Sequence, residues 1–143
     1  MEKHILLVED NRDDEALAVR ALKRANIGVE IVVVRDGAEA LDYLLANGTR
    51  TPRSGNELPS VVLLDLKLPK VDGLQVLKRI RANENTKYLP VVVFTSSGEP
   101  QDLALSYQYG ASSYVRKPVD FDSFARTTQR MADYWLSINE PSP

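Results

Sequence analysis

Three short apolar runs, each continuous rather than alternating with polar residues, divide the chain. They are Ile5 to Val8, Val61 to Leu64 and Pro90 to Phe94. Continuous runs of this length are typical of parallel strands that are covered on both faces of a sheet. Two weaker runs complete a set of five predicted strands: the valine-rich Glu30 to Arg35, and the short Ser113 to Arg116, which suits an edge strand.

Helical segments separate these strands. Asp13 and Asp14 offer N-caps for a first helix that ends near Gly28, and the pair Asp36-Gly37 precedes a second helix. Three more helices are predicted over Gly73 to Ala82, Pro100 to Tyr109 and Asp120 to Ser137. Strand and helix thus alternate five times, which predicts an α/β fold with a doubly wound parallel sheet and helices on both faces.

The chain length of 143 residues fits one domain. We expect it to span residues 1–138, with a flexible tail over 139–143, and we expect a long surface loop over Asn47 to Pro59. The fifth helix carries a heptad-like apolar seam: Phe121, Phe124, Thr128, Met131, Trp135 and Ile138. Most of the seam should face the core. We expect Tyr134, Trp135 and Ile138 to lie beyond the end of the sheet, where large apolar side chains are exposed unless a partner covers them. We therefore predict a homodimer through these residues.

Composition narrows the possible functions. The chain has 18 basic and 20 acidic residues, so no basic field would attract nucleic acid. It has no cysteine and one histidine, His4, which leaves the oxygen atoms of Asp and Glu as metal ligands. The N-terminal apolar run is too short for a signal peptide or a membrane span. We therefore expect a cytoplasmic protein that binds neither nucleic acid nor membranes.

Polar residues stand where four of the five predicted strands end. They are Glu9-Asp10 after the first strand, Asp65 after the third, Thr95 after the fourth and Lys117-Pro118 after the fifth. In an open parallel sheet these ends form the ligand-binding edge. Three carboxylates there would repel one another without a cation, and their oxygens suit Mg2+. A carboxylate beside bound Mg2+ can attack phosphorus as a nucleophile, while Lys117 neutralises a phosphoryl oxygen.

These residues resemble the motif of the receiver domains of two-component response regulators, and the resemblance extends from about His4 to Ser137. In that family an acidic pair, a phosphoacceptor Asp, a switch Thr or Ser and a Lys-Pro pair occur in this order. Asp65, Thr95 and Lys117 are 30 and 22 residues apart, which are the family's usual intervals. The segment LKLPKVDGL fits the family's loop after the phosphoacceptor, and Tyr114 takes the place of its switch aromatic residue.

The resemblance implies a flavodoxin-like (βα)5 sheet with the strand order 2-1-3-4-5. It implies that Asp65 is the phosphoacceptor and that Asp10, Asp65 and the carbonyl of Lys67 ligate Mg2+, with a weaker or water-mediated contact from Glu9. Lys117 would contact the phosphate, aimed by a cis bond to Pro118. Two features depart from the family: Glu9 replaces the more usual Asp, and the loop before the third strand is longer.

The resemblance also implies a switch and partners. On phosphorylation Thr95 would turn to a phosphoryl oxygen and vacate space for Tyr114, which reshapes the face made by the fourth helix, fifth strand and fifth helix. The phosphodonor would be a sensor histidine kinase or a phosphotransfer protein, and the subgroup resembles regulators that serve phytochrome-type kinases. A downstream protein would receive the signal. The domain would catalyse only its own phosphotransfer and autodephosphorylation, so we do not expect a conventional enzyme.

Three alternatives stay open at this stage. A phosphatase of the haloacid dehalogenase type also uses a strand-end Asp, Mg2+ and Lys, but it needs a second acid where this chain has Lys67. A flavodoxin-like module would bind flavin mononucleotide at a loop rich in Ser, Thr and Gly, whereas EDNRDDE has five acids in seven residues. The third is a receiver-fold interaction module that is not phosphorylated.

Overall fold

The computed structural model describes residues 3–25, 28–45 and 58–143. In this part of the chain five strands alternate with five α-helices, and a π-helix follows. The elements are β1 (His4–Val8), α1 (Arg12–Arg24), β2 (Glu30–Val34), α2 (Gly37–Leu45), β3 (Val61–Leu64), α3 (Gly73–Ala82), β4 (Val91–Thr95), α4 (Pro100–Gln108), β5 (Ser113–Arg116), α5 (Phe121–Asp133) and η1 (Tyr134–Ile138). The predicted surface loop, apart from Leu58 and Pro59, lies outside the described residues.

The strands form one parallel sheet in the order β2-β1-β3-β4-β5, which confirms the predicted doubly wound, flavodoxin-like fold. The three inner strands are buried over their whole length, whereas β2 and β5 are partly exposed edges. Because side chains alternate between the faces of a strand, the sheet has two cores. Leu6 and Val8 pack on the side of α2 and α3, while Ile5 and Leu7 pack on the side of α1 and α5.

The first helix begins and ends earlier than predicted. The side-chain oxygen of Asn11 accepts a hydrogen bond from the backbone N–H of Asp14 at 2.9 Å, so Asn11 is the N-cap rather than Asp13 or Asp14. Asn11 has an extended backbone, as a capping residue requires, whereas the two aspartates already lie in the first helical turn. The helix ends at Arg24, before the predicted end near Gly28.

One glycine brings a helix close to the strand end that carries Asp65. A Cβ atom on Gly73 would lie 2.3 Å from the carbonyl oxygen of Asp65 and 2.6 Å from the Cα of Leu66. The backbone N–H of Gly73 instead donates to the carbonyl of Leu66 at 2.8 Å. Any side chain here would push α3 away from the end of β3, so Gly73 fixes the loop between them.

The C-terminal helix departs from the predicted apolar seam. Phe124, Thr128 and Met131 are buried as expected, but Phe121 and Ile138 are exposed. For Ile138 the reason is the π-helix, in which Asn139 N donates to Tyr134 O at 2.6 Å. Phe121 is the first residue of α5 and lies well before that turn. A turn with one extra residue rotates the following side chains, so the 3–4 spacing of an α-helix does not continue. Leu136 is therefore the buried residue of this turn, and Trp135 is only half-buried against the core.

Candidate functional site

The strand order places four polar residues side by side at the carboxyl edge of the sheet. Glu9 follows β1, Asp65 follows β3, Thr95 ends β4 and Lys117 follows β5, and these strands are successive neighbours. All four residues are buried, with exposed fractions of 2%, 8%, 1% and 7% respectively. Charged residues are rarely buried unless they are paired. The grouping predicted from the strand ends is therefore present.

The ammonium group of Lys117 is the centre of this site. Its Nζ donates to Glu9 Oε1 at 2.7 Å, to Asp14 Oδ2 at 2.8 Å and to Asp65 Oδ2 at 2.9 Å. An ammonium has three N–H groups, so these bonds use all of its donors. The bond from Lys117 to Pro118 is trans, and the predicted cis bond is wrong. Lys117 reaches its partners with the isomer that X–Pro bonds ordinarily prefer.

The two buried carboxylates on this ammonium have opposite pKa shifts. Burial raises the pKa of Glu9 from 4.5 to about 7 against the hydrogen bond from Lys117, and the charge of Asp65 adds to the rise. Burial also acts to raise the pKa of Asp65, but the charge and hydrogen bond of Lys117 outweigh it and lower that pKa below its ordinary value. Asp65 is therefore the more strongly ionised of the two, as a carboxylate nucleophile must be.

Lys117 remains protonated at neutral pH in spite of its burial. Burial acts to lower the pKa of its ammonium, but hydrogen bonds to Asp14, Glu9 and Asp65 outweigh burial and raise that pKa. The site thus contains a fixed positive charge beside Asp65.

The other predicted metal ligands lie at the rim of the site. Asp10 and Lys67 are exposed, and the backbone N–H of Lys67 donates to Asp65 Oδ1 at 3.4 Å. Within residues 3–25, 28–45 and 58–143, no three ligating side chains are already grouped as a metal site. The carboxylate oxygens of Glu9, Asp10 and Asp65 nevertheless are the donors that Mg2+ takes, and one or two of them suffice for it. The donor set fits a small divalent cation.

Sequence reasoning missed the contact of Asp14 with Lys117. We expected Asp14 to cap the first helix, but it lies in the first turn of α1 with its carboxylate on Lys117. The sequence could have indicated this contact. Only Glu9, Asp10 and Asn11 separate β1 from α1, so the first turn of α1 must lie beside the carboxyl ends of the strands.

The two predicted switch residues both contact the loop between β4 and α4 through Ser97. The backbone N–H of Ser97 donates to Thr95 Oγ1 at 3.4 Å, and the hydroxyl of Tyr114 donates to the carbonyl of Ser97 at 3.0 Å. The Ser97 hydroxyl in turn donates to Asp102 Oδ2 of α4 at 2.6 Å. Tyr114 is half-buried and packs against the core on the side of α2 and α3. Thr95 and Tyr114 are thus linked to α4.

The predicted interface residues lie away from this cluster, at the amino end of the sheet. Tyr134 and Ile138 are 45% and 60% exposed, whereas Trp135 is half-buried, so the expectation that all three are exposed is wrong for Trp135. The ring of Trp135 meets that of Tyr134 edge-on, with centroids 4.9 Å apart. None of the helices in the described ranges combines the length and apolar character of a membrane span.

Comparison with known proteins agrees with this geometry. The sequence profile of the response regulator receiver domain matches residues 5–129. The probable methanogenesis regulatory protein FilR2 of Methanothrix harundinacea is 44% identical over 141 residues, which are 97% of this chain and 88% of that protein. Response regulator Rcp1 of Synechocystis sp. is 37% identical over 136 residues, which are 94% of this chain and 89% of that protein.

Two solved structures are similar over nearly the whole chain. The Mn2+-bound form of Rcp1 has a TM-score of 0.88 and 35% identity, with 99% of both chains covered. The phosphorylated cyanobacterial phytochrome response regulator RcpA has a TM-score of 0.91 and 34% identity, with both chains covered completely. These matches favour a receiver over the phosphatase and flavin-binding alternatives. The chain belongs to the response regulator receiver domain family, whose members act in two-component signalling rather than as conventional enzymes.

Proposed function

We propose that Asp65 accepts a phosphoryl group from a histidine kinase or phosphotransfer protein. The observation that carries this proposal is the buried, ionised carboxylate of Asp65 with the ammonium of Lys117 at 2.9 Å. An Asp65 oxygen attacks the phosphorus of a phosphohistidine, the new O–P bond forms as the P–N bond breaks, and the imidazole nitrogen keeps the electron pair. Lys117 neutralises charge on the phosphoryl oxygens.

We propose Mg2+ as the metal, held by Glu9, Asp10, Asp65 and the backbone carbonyl of Lys67. The type of donor atom supports this choice, and so does the Mn2+ in the related Rcp1 structure. When bound, the ion would offset the negative charge that an incoming phosphoryl group brings to these carboxylates.

For the output, we propose that Thr95 and Tyr114 report phosphorylation to the α4-β5-α5 face. The hydroxyl of Thr95 lies at the end of the strand next to Asp65, and Tyr114 is tied to the same loop through Ser97. If Thr95 turns toward a phosphoryl oxygen, the Ser97 contacts change, and Ser97 is bonded to Asp102 on α4. The same site would hydrolyse its own acyl phosphate, with Lys67 and Ser97 near enough to influence the lifetime.

The direct test is phosphorylation of the purified chain by acetyl phosphate with Mg2+, followed by intact mass spectrometry. The wild type should gain one phosphoryl group, and Asp65→Asn should gain none while it keeps the wild-type circular dichroism spectrum. Equal labelling of Asp65→Asn would exclude Asp65 as the acceptor. The same preparation should not turn over p-nitrophenyl phosphate, since multiple turnovers would favour the phosphatase alternative.

For the partners, we propose a phytochrome-type histidine kinase as phosphodonor, a downstream protein target, a homodimer and a location in the cytoplasm. The similarity to RcpA, a phytochrome response regulator, supports the kinase class.

The exposed side chains of Tyr134 and Ile138 support the homodimer. Because Trp135 is half-buried against the core, a substitution there could also affect folding, so Ile138→Glu is the cleaner test. Light scattering should show a lower mass for Ile138→Glu, and an unchanged mass would remove this surface from the interface.

A further inference from the structure

Asp14 differs from the other two carboxylates that contact Lys117. All three oxygens are within 2.7–2.9 Å of Nζ. Asp65 is the proposed acceptor, so one of its oxygens becomes part of the acyl phosphate, and Glu9 is a proposed metal ligand. Asp14 has neither role. Its bond to Lys117 is therefore the one that the reaction need not break.

The position of Asp14 suits it to hold the lysine. Its side chain is a quarter exposed, at 25%, while the Lys117 side chain is only 4% exposed. Asp14 belongs to α1 and Lys117 follows β5, so the bond joins two residues that are 103 positions apart in the chain. Among the hydrogen bonds that raise the pKa of Lys117, the one to Asp14 contributes most.

We propose that Asp14 is a positioning residue that holds the Lys117 ammonium beside Asp65 during phosphorylation. The proposal rests on the proposed function of Asp65 as phosphoacceptor. When Glu9 and Asp65 turn toward a cation or a phosphoryl group, the Asp14 carboxylate retains Lys117 at the site. Without the Asp14 carboxylate, the Lys117 ammonium would have no hydrogen-bond partner left at the site. Repulsion by the divalent cation would then move it away from Asp65.

If Asp14 only stabilised α1, other residues of the same turn would serve equally well. The cap of this helix is Asn11, whose side chain bonds the backbone N–H of Asp14 and not its carboxylate. The favourable effect of acids near a helix N-terminus is shared with Asp13 and Glu15 in the same turn. Asp13→Asn therefore removes the same charge from the same turn at an exposed position, and it is the matched control.

The test compares Asp14→Asn and Asp14→Ala with Asp13→Asn in the full chain. The rate of Asp65 phosphorylation by acetyl phosphate at saturating Mg2+ should fall about tenfold in both Asp14 variants, the order expected for loss of one charge-assisted hydrogen bond. The Mg2+ dissociation constant, measured by calorimetry, should stay within about twofold of wild type. A structural defect in α1 would instead weaken Mg2+ binding, because α1 directly follows Glu9 and Asp10. Asp13→Asn should match wild type in both measurements.

The route through Lys117 is tested by a double-mutant cycle. In a Lys117→Met background, Asp14→Asn should change the phosphorylation rate no further, because the group that it positions is gone. A loss of equal size in both backgrounds, or a rate for Asp14→Asn equal to that of Asp13→Asn, overturns the proposal and leaves the phosphoacceptor function intact. A wild-type chain that is not phosphorylated on Asp65 overturns both.

Discussion

The two ends of the central strand β1 bury polar groups of different kinds. At the amino end, His4 Nε2 and the hydroxyl of Tyr43 lie 3.0 Å apart, and their rings meet edge-on. At the carboxyl end, Glu9 bonds the ammonium of Lys117 at 2.7 Å. An imidazole and a phenol can form a hydrogen bond without a charge on either group, whereas Lys117 is buried as a charged ammonium.

We infer that the polar pair at the amino end of β1 contributes to stability, whereas the charged group at the carboxyl end serves the function. A hydrogen bond between two buried polar groups contributes about 1 kcal/mol, whereas burial of an ion costs several kcal/mol that attraction to its partners only partly returns. We infer that this cost is tolerated at the carboxyl end because Asp65, the proposed phosphoacceptor, needs a neighbouring cation. We therefore expect changes at the carboxyl end to affect phosphorylation and pH dependence, and changes at the amino end to affect stability alone.

The largest effect should come from Lys117→Met. This change leaves Glu9 and Asp65 buried without their counter-charge, so the free energy of unfolding at pH 7 should fall by about 4 kcal/mol. The phosphorylation rate should fall on the order of a hundredfold. Urea unfolding should also show that Mg2+ restores part of the lost stability, because the ion binds the folded state. The exposed Lys67→Met is the control, and a similar loss of stability in both variants would contradict the account.

The next effect concerns the pH dependence of the metal-free chain through Glu9. Its pKa is raised from 4.5 to about 7 by burial, so the fold disfavours its ionised form. Its contribution to stability is fully present below about pH 4.5 and is lost as the pH rises through about 7. Glu9→Gln is neutral throughout, so wild type should lose up to about 3 kcal/mol relative to it between these pH values. Chemical unfolding at a series of pH values measures this, and parallel profiles would refute it.

The smallest effect should come from the amino end. Tyr43→Phe removes the hydroxyl that lies 3.0 Å from His4, which should lower the free energy of unfolding by about 1 kcal/mol. Phosphorylation should remain within about twofold of wild type, since Tyr43 packs against His4 at the amino end of β1. If Tyr43→Phe slowed phosphorylation as strongly as Lys117→Met, the proposal that only the carboxyl end of β1 affects phosphorylation would be wrong.

Much of the fold followed from local sequence patterns. The continuous apolar runs predicted the strands because inner parallel strands are buried on both faces, and helix α3 agrees with its approximate predicted range. The grouping of Glu9, Asp65, Thr95 and Lys117 also followed, because parallel strands end at one edge of the sheet.

What the sequence did not predict depends on side-chain geometry. The contact of Asp14 with Lys117 joins residues far apart in the chain, and the same aspartate was equally plausible as a helix cap. The π-helix at Tyr134–Ile138 was missed because the seam has perfect α-helical spacing up to Ile138. In the π turn Leu136 is buried instead of the seam residue Ile138, which the 3–4 spacing does not predict.

Mapping of the phosphorylated residue determines whether Asp65 is the phosphoacceptor and whether it depends on Lys117. After reaction with acetyl phosphate and Mg2+, borohydride reduction of the acyl phosphate marks the acceptor, and peptide mass spectrometry locates it. We expect a single labelled residue, Asp65, with labelling that is strongly reduced in Lys117→Met and unchanged in Tyr43→Phe. A mark on Glu9 or Asp10, or labelling of Asp65 that does not depend on Lys117, would contradict this expectation.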